Sequence, residues 1–274
     1  TCFVSVCLSC GHEYTAKIDV LVFEDYKRDY YEVTHKQWFD NPQFSLFRKI
    51  SAGILKLFPS IIESEAVILD VGCGNGDLLF FLSRAFPKAN FIGVDTSVKY
   101  NGTSNQRVEL IDSMFTPDSF DIKFDVIISS QVIEHIYDAK HFVADQVSLL
   151  NPSDSSLLVV ATINSDSPVY WAARLFKRLG FSLAYDRLYS SHHVNHFSKA
   201  SLKRLCVSSG LQIVGSTGVN IEMAALDLPS SKFIPKFILK LSTWAMFQFG
   251  LLIGRPFLQV CFLKPCKKEH DFLV

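Results

Sequence analysis

The sequence predicts an α/β fold, a mostly parallel sheet with helices on both faces, and three observations lead there. Short apolar runs rich in β-branched residues recur at 67–69, 90–94, 107–111 and 124–129, as strands covered on both faces require. Between the first run and the next helical pattern stands a glycine turn, with Gly72, Gly74 and Gly76 at alternate positions. Carboxylates close the strands: Asp70 follows the first, Asp95 the second and Asp112 the third. In an open α/β sheet that carboxyl-terminal edge is where ligands bind.

The stretch AVILDVGCGNGDLLFFL, residues 66–82, reads as buried strand, tight turn and helix start. Without Cβ atoms the turn lets a ligand lie against bare peptide groups, and the helix that follows points its free N–H groups back at it. The spacing is G-x-G-x-G, not the G-x-G-x-x-G of dinucleotide sites, and Asp77 stands where a third dinucleotide glycine would be. A carboxylate there repels a pyrophosphate. Asp95 at the second strand's edge is placed to accept both hydroxyls of a ribose, and Asp70 suits a cofactor carrying an ammonium and a sulfonium.

Four segments in order resemble the class I S-adenosylmethionine-dependent methyltransferases. LDVGCGNG is similar to the family's first motif and FIGVDTS to its second; FDVIISSQVIEHIYD is similar to the fourth-strand motif with its E-H pair, and LLVVATIN to the fifth strand. The likeness covers residues 66–164 and extends by analogy to Val219 through HHVNHFSKASLKRLCVSSGLQIVG. The resemblance implies a Rossmann-like seven-stranded sheet with an antiparallel last strand. It also implies a cofactor loop of Asp70, Gly72, Cys73, Gly74 and Gly76, with Asp95 and Thr96 beyond the second strand. Asp112 and Ser113 would lie at the adenine edge and Gln131 toward the methionine moiety.

Glu134 and His135 are the candidate catalytic pair. Methyl transfer from a sulfonium is an in-line displacement, so holding donor and acceptor in near-attack geometry supplies most of the gain, ~7 to 11 kcal/mol. A base is needed only for a hydroxyl acceptor, and His135 is placed to serve. The alternative is that the pair caps and orients the helix after the strand. The T-I-N that ends the fifth strand is similar to the O-methyltransferases of ubiquinone biosynthesis, which act on polyprenylated phenols. Those proteins carry a carboxylate where this chain has Gln131, as part of a divalent-ion arrangement, so no metal is expected here. His192, His193 and His196 precede a helix capped by Ser198 and are read as a loop lining the acceptor pocket.

Composition adds bounds. Lys+Arg and Asp+Glu both number 27, so nothing in the charge favours nucleic acid as partner. Seven cysteines, an odd number scattered along the chain, and no visible secretory signal point to reduced thiols and a cytoplasmic protein.

Residues 1–65 are read as an extension and 66–274 as the methyltransferase domain. The extension holds a strand-like FVSVCLSCGHEY whose Cys7 and Cys10 resemble half of a zinc ribbon. Structural zinc needs four ligands, and Cys2 is too close to supply the other pair, so two reduced thiols are expected. The aromatic, acidic stretch EDYKRDYYEVTHKQWFDNP is expected to form helices over the cofactor site, and KYNGTSNQ after the second strand only a short or irregular helix. Before a last strand at 256–263 comes an apolar insertion at about 230–254, shorter in uncharged length than the ~20 residues a spanning helix needs. It is read as a lid or dimer contact, or as a peripheral membrane contact, and the apolar character favours a greasy acceptor.

The reading is thus a methyltransferase that uses S-adenosylmethionine on a small or lipid-linked acceptor, most simply at oxygen. A saccharide of cell-surface polysaccharide synthesis is an alternative acceptor. A cofactor-binding partner subunit without catalysis is the alternative of another class.

Overall fold

The computed structural model describes residues 3–16, 41–98, 105–189, 192–226 and 236–266. Seven strands build the main sheet: β3 (Val67–Val71), β4 (Asn90–Asp95), β5 (Val108–Asp112), β6 (Val126–Ser130), β7 (Leu157–Ile163), β9 (Leu211–Val219) and β10 (Leu258–Pro265). Their order is β5-β4-β3-β6-β7-β10-β9. The first five run parallel, and β10 is antiparallel to both β7 and β9. The chain winds outward from β3 through β4 to β5, then crosses back to β6. The switch point therefore lies between β3 and β6, the place at the strand ends where ligands bind in open α/β sheets.

The apolar runs form strands because both faces are buried. Ile68 of β3 packs into one core cluster while Leu69 and Val71 pack into the other. In β7, Leu157, Val159 and Ala161 alternate in the same way with Leu158 and Val160. Each such fully buried aliphatic side chain contributes about 1.5 to 3 kcal/mol.

The helices read as amphipathic stripes. Helix α1 (Phe44–Leu57) buries Leu46, Phe47, Ile50 and Ile54, and its Gly53 lies so close to the sheet that an added Cβ would stand 2.0 Å from the Phe262 ring. Helix α2 (Asp77–Ala85) starts after Gly76 and buries Leu78, Leu79 and Leu82. Asp138 caps α3 (Ala139–Ser148), accepting from the His141 N–H at 2.9 Å. Pro168 opens α4 (Pro168–Arg178), and α5 (Leu183–Leu188) follows. Ser198 and Ser201 form a capping box on α6 (Lys199–Ser208). Helix α7 (Lys236–Leu252) occupies the apolar insertion.

A second, three-stranded sheet joins distant parts of the chain. The hairpin β1 (Phe3–Val6) and β2 (Glu13–Ala16) pairs antiparallel with β8 (Asn195–His196), opposing Glu13 to His196 and Tyr14 to Asn195. Cys7 and Cys10 sit in the hairpin's turn as free thiols. Hydrogen bonds from Ser9 and Cys10 lower the Cys7 thiol to about 7.

Strand limits differ from the sequence reading for local reasons. Arg107 precedes β5 because its N–H turns to Asn105 Oδ1, and its guanidinium holds the carbonyls of Ser83, Phe86 and Ala89. The last strand starts at Leu258, since Pro256 has no N–H and its carbonyl accepts from Asn164 Nδ2. The helices expected over the cofactor site, at 24–42, lie outside the described residues apart from Asn41 and Pro42, as do most residues of the irregular segment after β4.

Candidate active site

The glycine turn and the segment after β6 flank the switch point. Gly72, Gly74 and Gly76 all have positive φ. A Cβ on Gly72 would stand 2.2 Å from Val132 Cγ2, so the two loops meet through a glycine and no other residue fits. The turn is tied to the end of β4: Gly72 N–H donates to the Val94 carbonyl at 2.8 Å, and Gly74 N–H to Asp95 Oδ2 at 3.0 Å. Asp95 Oδ1 accepts from both the N–H and the hydroxyl of Ser97. Asp95 therefore shapes the loop before it meets any ligand. Thr96 lies half-buried on the turn beside it. Ser97 was missed in the sequence, although D-x-S is an Asx-turn signature.

Asp70 is buried, and its Oδ1 has no hydrogen-bond partner among the described residues. Burial, and then the nearby Asp95 carboxylate, push it up to about 8. An orphaned buried carboxylate beside a cradle of bare backbone fits a ligand that brings a positive charge. The Cys73 side chain turns away into the core, where an added Cβ on Gly93 would lie 2.7 Å from its Sγ, and burial raises its thiol. Asp112 and Ser113 are exposed at the end of β5, with Ser113 N–H donating to the Asp95 carbonyl. They stand beside Asp95 at the same sheet edge.

On the other side of the switch point, Gln131 has φ 61, the one non-glycine residue with positive φ among those described. A left-handed backbone at such a residue costs about 1 to 3 kcal/mol and persists only where its surroundings hold it. Here its N–H donates to the Ala161 carbonyl at 2.7 Å. The chain then makes a 3-10 turn, Ile133–His135. The cap on the helix beyond is Asp138, so neither Glu134 nor His135 caps it.

Glu134 and His135 part company in this turn. Glu134 is buried beneath it, its Oε2 accepting from the Thr162 hydroxyl at 2.7 Å, and burial pushes it up to about 7 against the pull of that bond. His135 is only half-buried, and its Nδ1 lies 2.7 Å from the His192 carbonyl oxygen. A carbonyl only accepts, so Nδ1 carries the proton and Nε2 is the basic nitrogen of the neutral ring. The His193 ring lies 5.0 Å away, centroid to centroid.

Of the three loop histidines, His196 is structural. It is buried, with Nε2 3.0 Å from Thr15 Oγ1 and Nδ1 3.2 Å from the Tyr170 hydroxyl, and burial, with His193 and His12 nearby, holds it down to about 3. The Thr15 hydroxyl itself donates to the His193 carbonyl at 2.8 Å. Beside it, Arg174 Nη1 donates to Glu13 Oε1 and Oε2 at 3.0 and 3.1 Å, and Tyr189 donates to Glu13 Oε2 at 2.5 Å. The hairpin thus braces the loop that holds His135. No cluster of three or more metal-ligating side chains occurs among the described residues.

Comparison with known proteins gives the family. A family model described as a methyltransferase domain matches residues 43–216, more than half of the chain. The chain is 25% identical over 150 residues to the ubiquinone biosynthesis O-methyltransferase of Rickettsia bellii (strain OSU 85-389), covering 51% of this chain and 62% of that protein. It thus spans under two thirds of that relative's length. The protein of the same name from Rickettsia canadensis (strain McKiel) is 22% identical over 209 residues, covering 70% of this chain and 85% of its own. Among solved structures, the plantazolicin methyltransferase BpumL in complex with a triazolic desmethylPZN analog and SAH shares the fold. Its TM-score is 0.51 at 16% identity, over 87% of this chain and 88% of that one. With the glycine loop, the strand-end carboxylates and the sheet order in place, the chain belongs to the methyltransferase-domain family, among the class I S-adenosylmethionine-dependent methyltransferases.

Proposed function

We propose that this chain moves a methyl group from S-adenosylmethionine to an oxygen of a small or lipid-linked molecule, with His135 taking the acceptor's proton. The observation that carries the reading is the pairing of the unsatisfied Asp70 carboxylate with a base of fixed tautomer across one switch point. When bound, the cofactor supplies an electrophilic methyl on a sulfonium. Asp70 would face its positive charge, Asp95 and Thr96 would hold its ribose, Asp112 and Ser113 its adenine edge, and Gln131 its methionine end. The name of the Rickettsia relatives, O-methyltransferases of ubiquinone biosynthesis, favours oxygen and a lipid-tailed phenol.

The chain's own work is positional and protic. The left-handed backbone at Gln131 aims the following turn so that His135 stands at the sheet edge. The His192 carbonyl keeps the proton on Nδ1, so Nε2 is the ring nitrogen with the basicity to accept the hydroxyl proton as the oxygen attacks. The proton then leaves to solvent. Glu134 acts through the turn it anchors on Thr162 and is a positioning residue.

Titration with S-adenosylhomocysteine, with NADH as control, tests the cofactor: micromolar affinity for the first and none for the second is expected. For the base, His135→Ala is assayed on a panel of polyprenylated phenols with labelled methyl donor. Turnover is expected to fall about 10²- to 10⁴-fold at unchanged S-adenosylhomocysteine affinity. Turnover within threefold of the parent removes His135 from the chemistry.

A further inference from the structure

Helix α7 is apolar nearly all round its circumference, a pattern that belongs to a helix buried on every side. It is not so buried. Only one stripe, Leu239, Thr243, Met246, Phe247 and Gly250, turns to the protein. Phe237 is 72% exposed, Trp244 50% and Leu252 85%.

The neighbouring helix repeats the anomaly. Gly250 of α7 sits against α4, where an added Cβ would lie 3.1 Å from Pro168 Cδ. Along α4, Trp171, Leu175 and Leu179 fall at i, i+4 and i+8, one helical stripe, and are exposed by 63%, 40% and 62%. The chain continues through Phe181 and Leu183, both exposed, into α5. Exposed apolar surface on this scale, from two packed helices and their connection, marks an interaction site and not an ordinary surface.

Charge identifies what it fits. From 236 to 255 the charged residues are Lys236, Lys240 and Arg255, with no acid, and from 171 to the end of α5 at 188 they are Arg174, Lys177, Arg178 and Arg187 with one acid, Asp186. Arg174 is engaged by Glu13, and Lys177 lies over the Tyr185 ring. Lys236, Lys240, Arg178 and Arg255 are exposed. A second copy of the chain would bring like charges to the same fringe, whereas an anionic bilayer takes both the apolar side chains and the cations. No helix among the described residues is long and apolar enough to cross a membrane, which leaves a helix lying in the interface.

We infer that α7, α4 and the 179–183 connection form one docking surface for an anionic lipid bilayer, opening beside the acceptor side of the site. The connection to that site is short. Helix α4 follows the end of β7, and α5 leads through Tyr189 to His192, whose carbonyl holds His135. The surface rests on the lipid-linked reading for its purpose, since it places the pocket where a lipid-tailed acceptor resides, but its occupant is tested without any acceptor.

The full chain is mixed with phosphatidylglycerol or phosphatidylcholine vesicles and sedimented. Binding and a blue-shifted fluorescence of Trp171 and Trp244, read in a Trp38→Phe background, are expected on phosphatidylglycerol and weaken with added salt. The double variant Phe237→Asp/Leu252→Asp should bind at least tenfold more weakly while keeping S-adenosylhomocysteine affinity, which certifies its fold. Lys240→Gln with Arg178→Gln should lower binding to phosphatidylglycerol and leave phosphatidylcholine unchanged. No vesicle binding by the parent chain overturns the inference, as does binding that the double variant retains. A parent dimer that the double variant dissociates, without vesicle binding, assigns the face to a second copy instead. Vesicle binding without S-adenosylhomocysteine binding would sink the methyl-transfer reading and leave the docking surface standing.

Discussion

The two halves of the site are built in opposite ways. The cofactor half is local: β3, the glycine turn and the start of α2 are contiguous, and Asp95 closes the next strand. The half proposed to receive the acceptor is assembled from afar, with Glu13 and Thr15 of the hairpin meeting Arg174, Tyr189 and His196. Local construction makes the first half recognisable from a single window of sequence. Long-range construction lets the second half change with the hairpin and loops while the sheet stays the same.

If that division holds, a substitution in one half should leave the other untouched. The largest effect is expected from Asp95→Ala, which unties Gly74 and Ser97 and would remove the proposed charge-assisted bonds to the ribose. S-adenosylhomocysteine affinity should drop by about 1.5 to 3 kcal/mol in calorimetry, and unchanged affinity would refute the ribose role.

Next is Glu13→Ala, which leaves Arg174 and Tyr189 without their shared acceptor in a partly buried place. Stability should fall by about 2 kcal/mol in urea titration, with S-adenosylhomocysteine affinity within about twofold of the parent. A matching loss of affinity would erase the distinction between the halves.

The smallest effect is a pH dependence. Asp70, raised from 3.8 to about 8, is mostly protonated in the ligand-free chain at neutral pH. A bound ammonium should ionise it, so binding at pH 7 releases close to one proton, and affinity rises about tenfold from pH 7 to 9 before levelling. The same raised value means that Asp70 costs ligand-free stability progressively as pH climbs from its unfolded value toward 8. Calorimetry in buffers of different ionisation enthalpy reads the proton, and Asp70→Asn should abolish it.

This contrast explains what the sequence revealed. The sheet, the glycine turn and the strand-end carboxylates were legible because each is a short window whose residue types carry the signal. His135 could be singled out, but its fixed tautomer could not, because the partner is the His192 carbonyl, a group every residue possesses. The same holds for Thr15, which grips the His193 carbonyl. The three histidines suggested side-chain chemistry, whereas His196 is committed to Thr15 and Tyr170, and its neighbours act in part through their backbones. Phe124 was read as the start of β6, yet it only bridges to Leu150, while the carboxylate of Asp125 accepts from Val67 N–H and Asn151. The surface of α7 and α4 was half visible: the apolar insertion stands out in the sequence, but its union with α4 needs the packing of Gly250 on Pro168.

The reversed backbone at Gln131 has an evolutionary reading. Glycine, or asparagine to a lesser degree, would occupy that conformation with less strain, so selection for thermal resilience alone would drift away from glutamine there. Selection for turnover would hold it. Position 131 thus separates the two pressures, and a library passed through heat and then through an activity screen would record at that codon how much resilience this chain has exchanged for its chemistry.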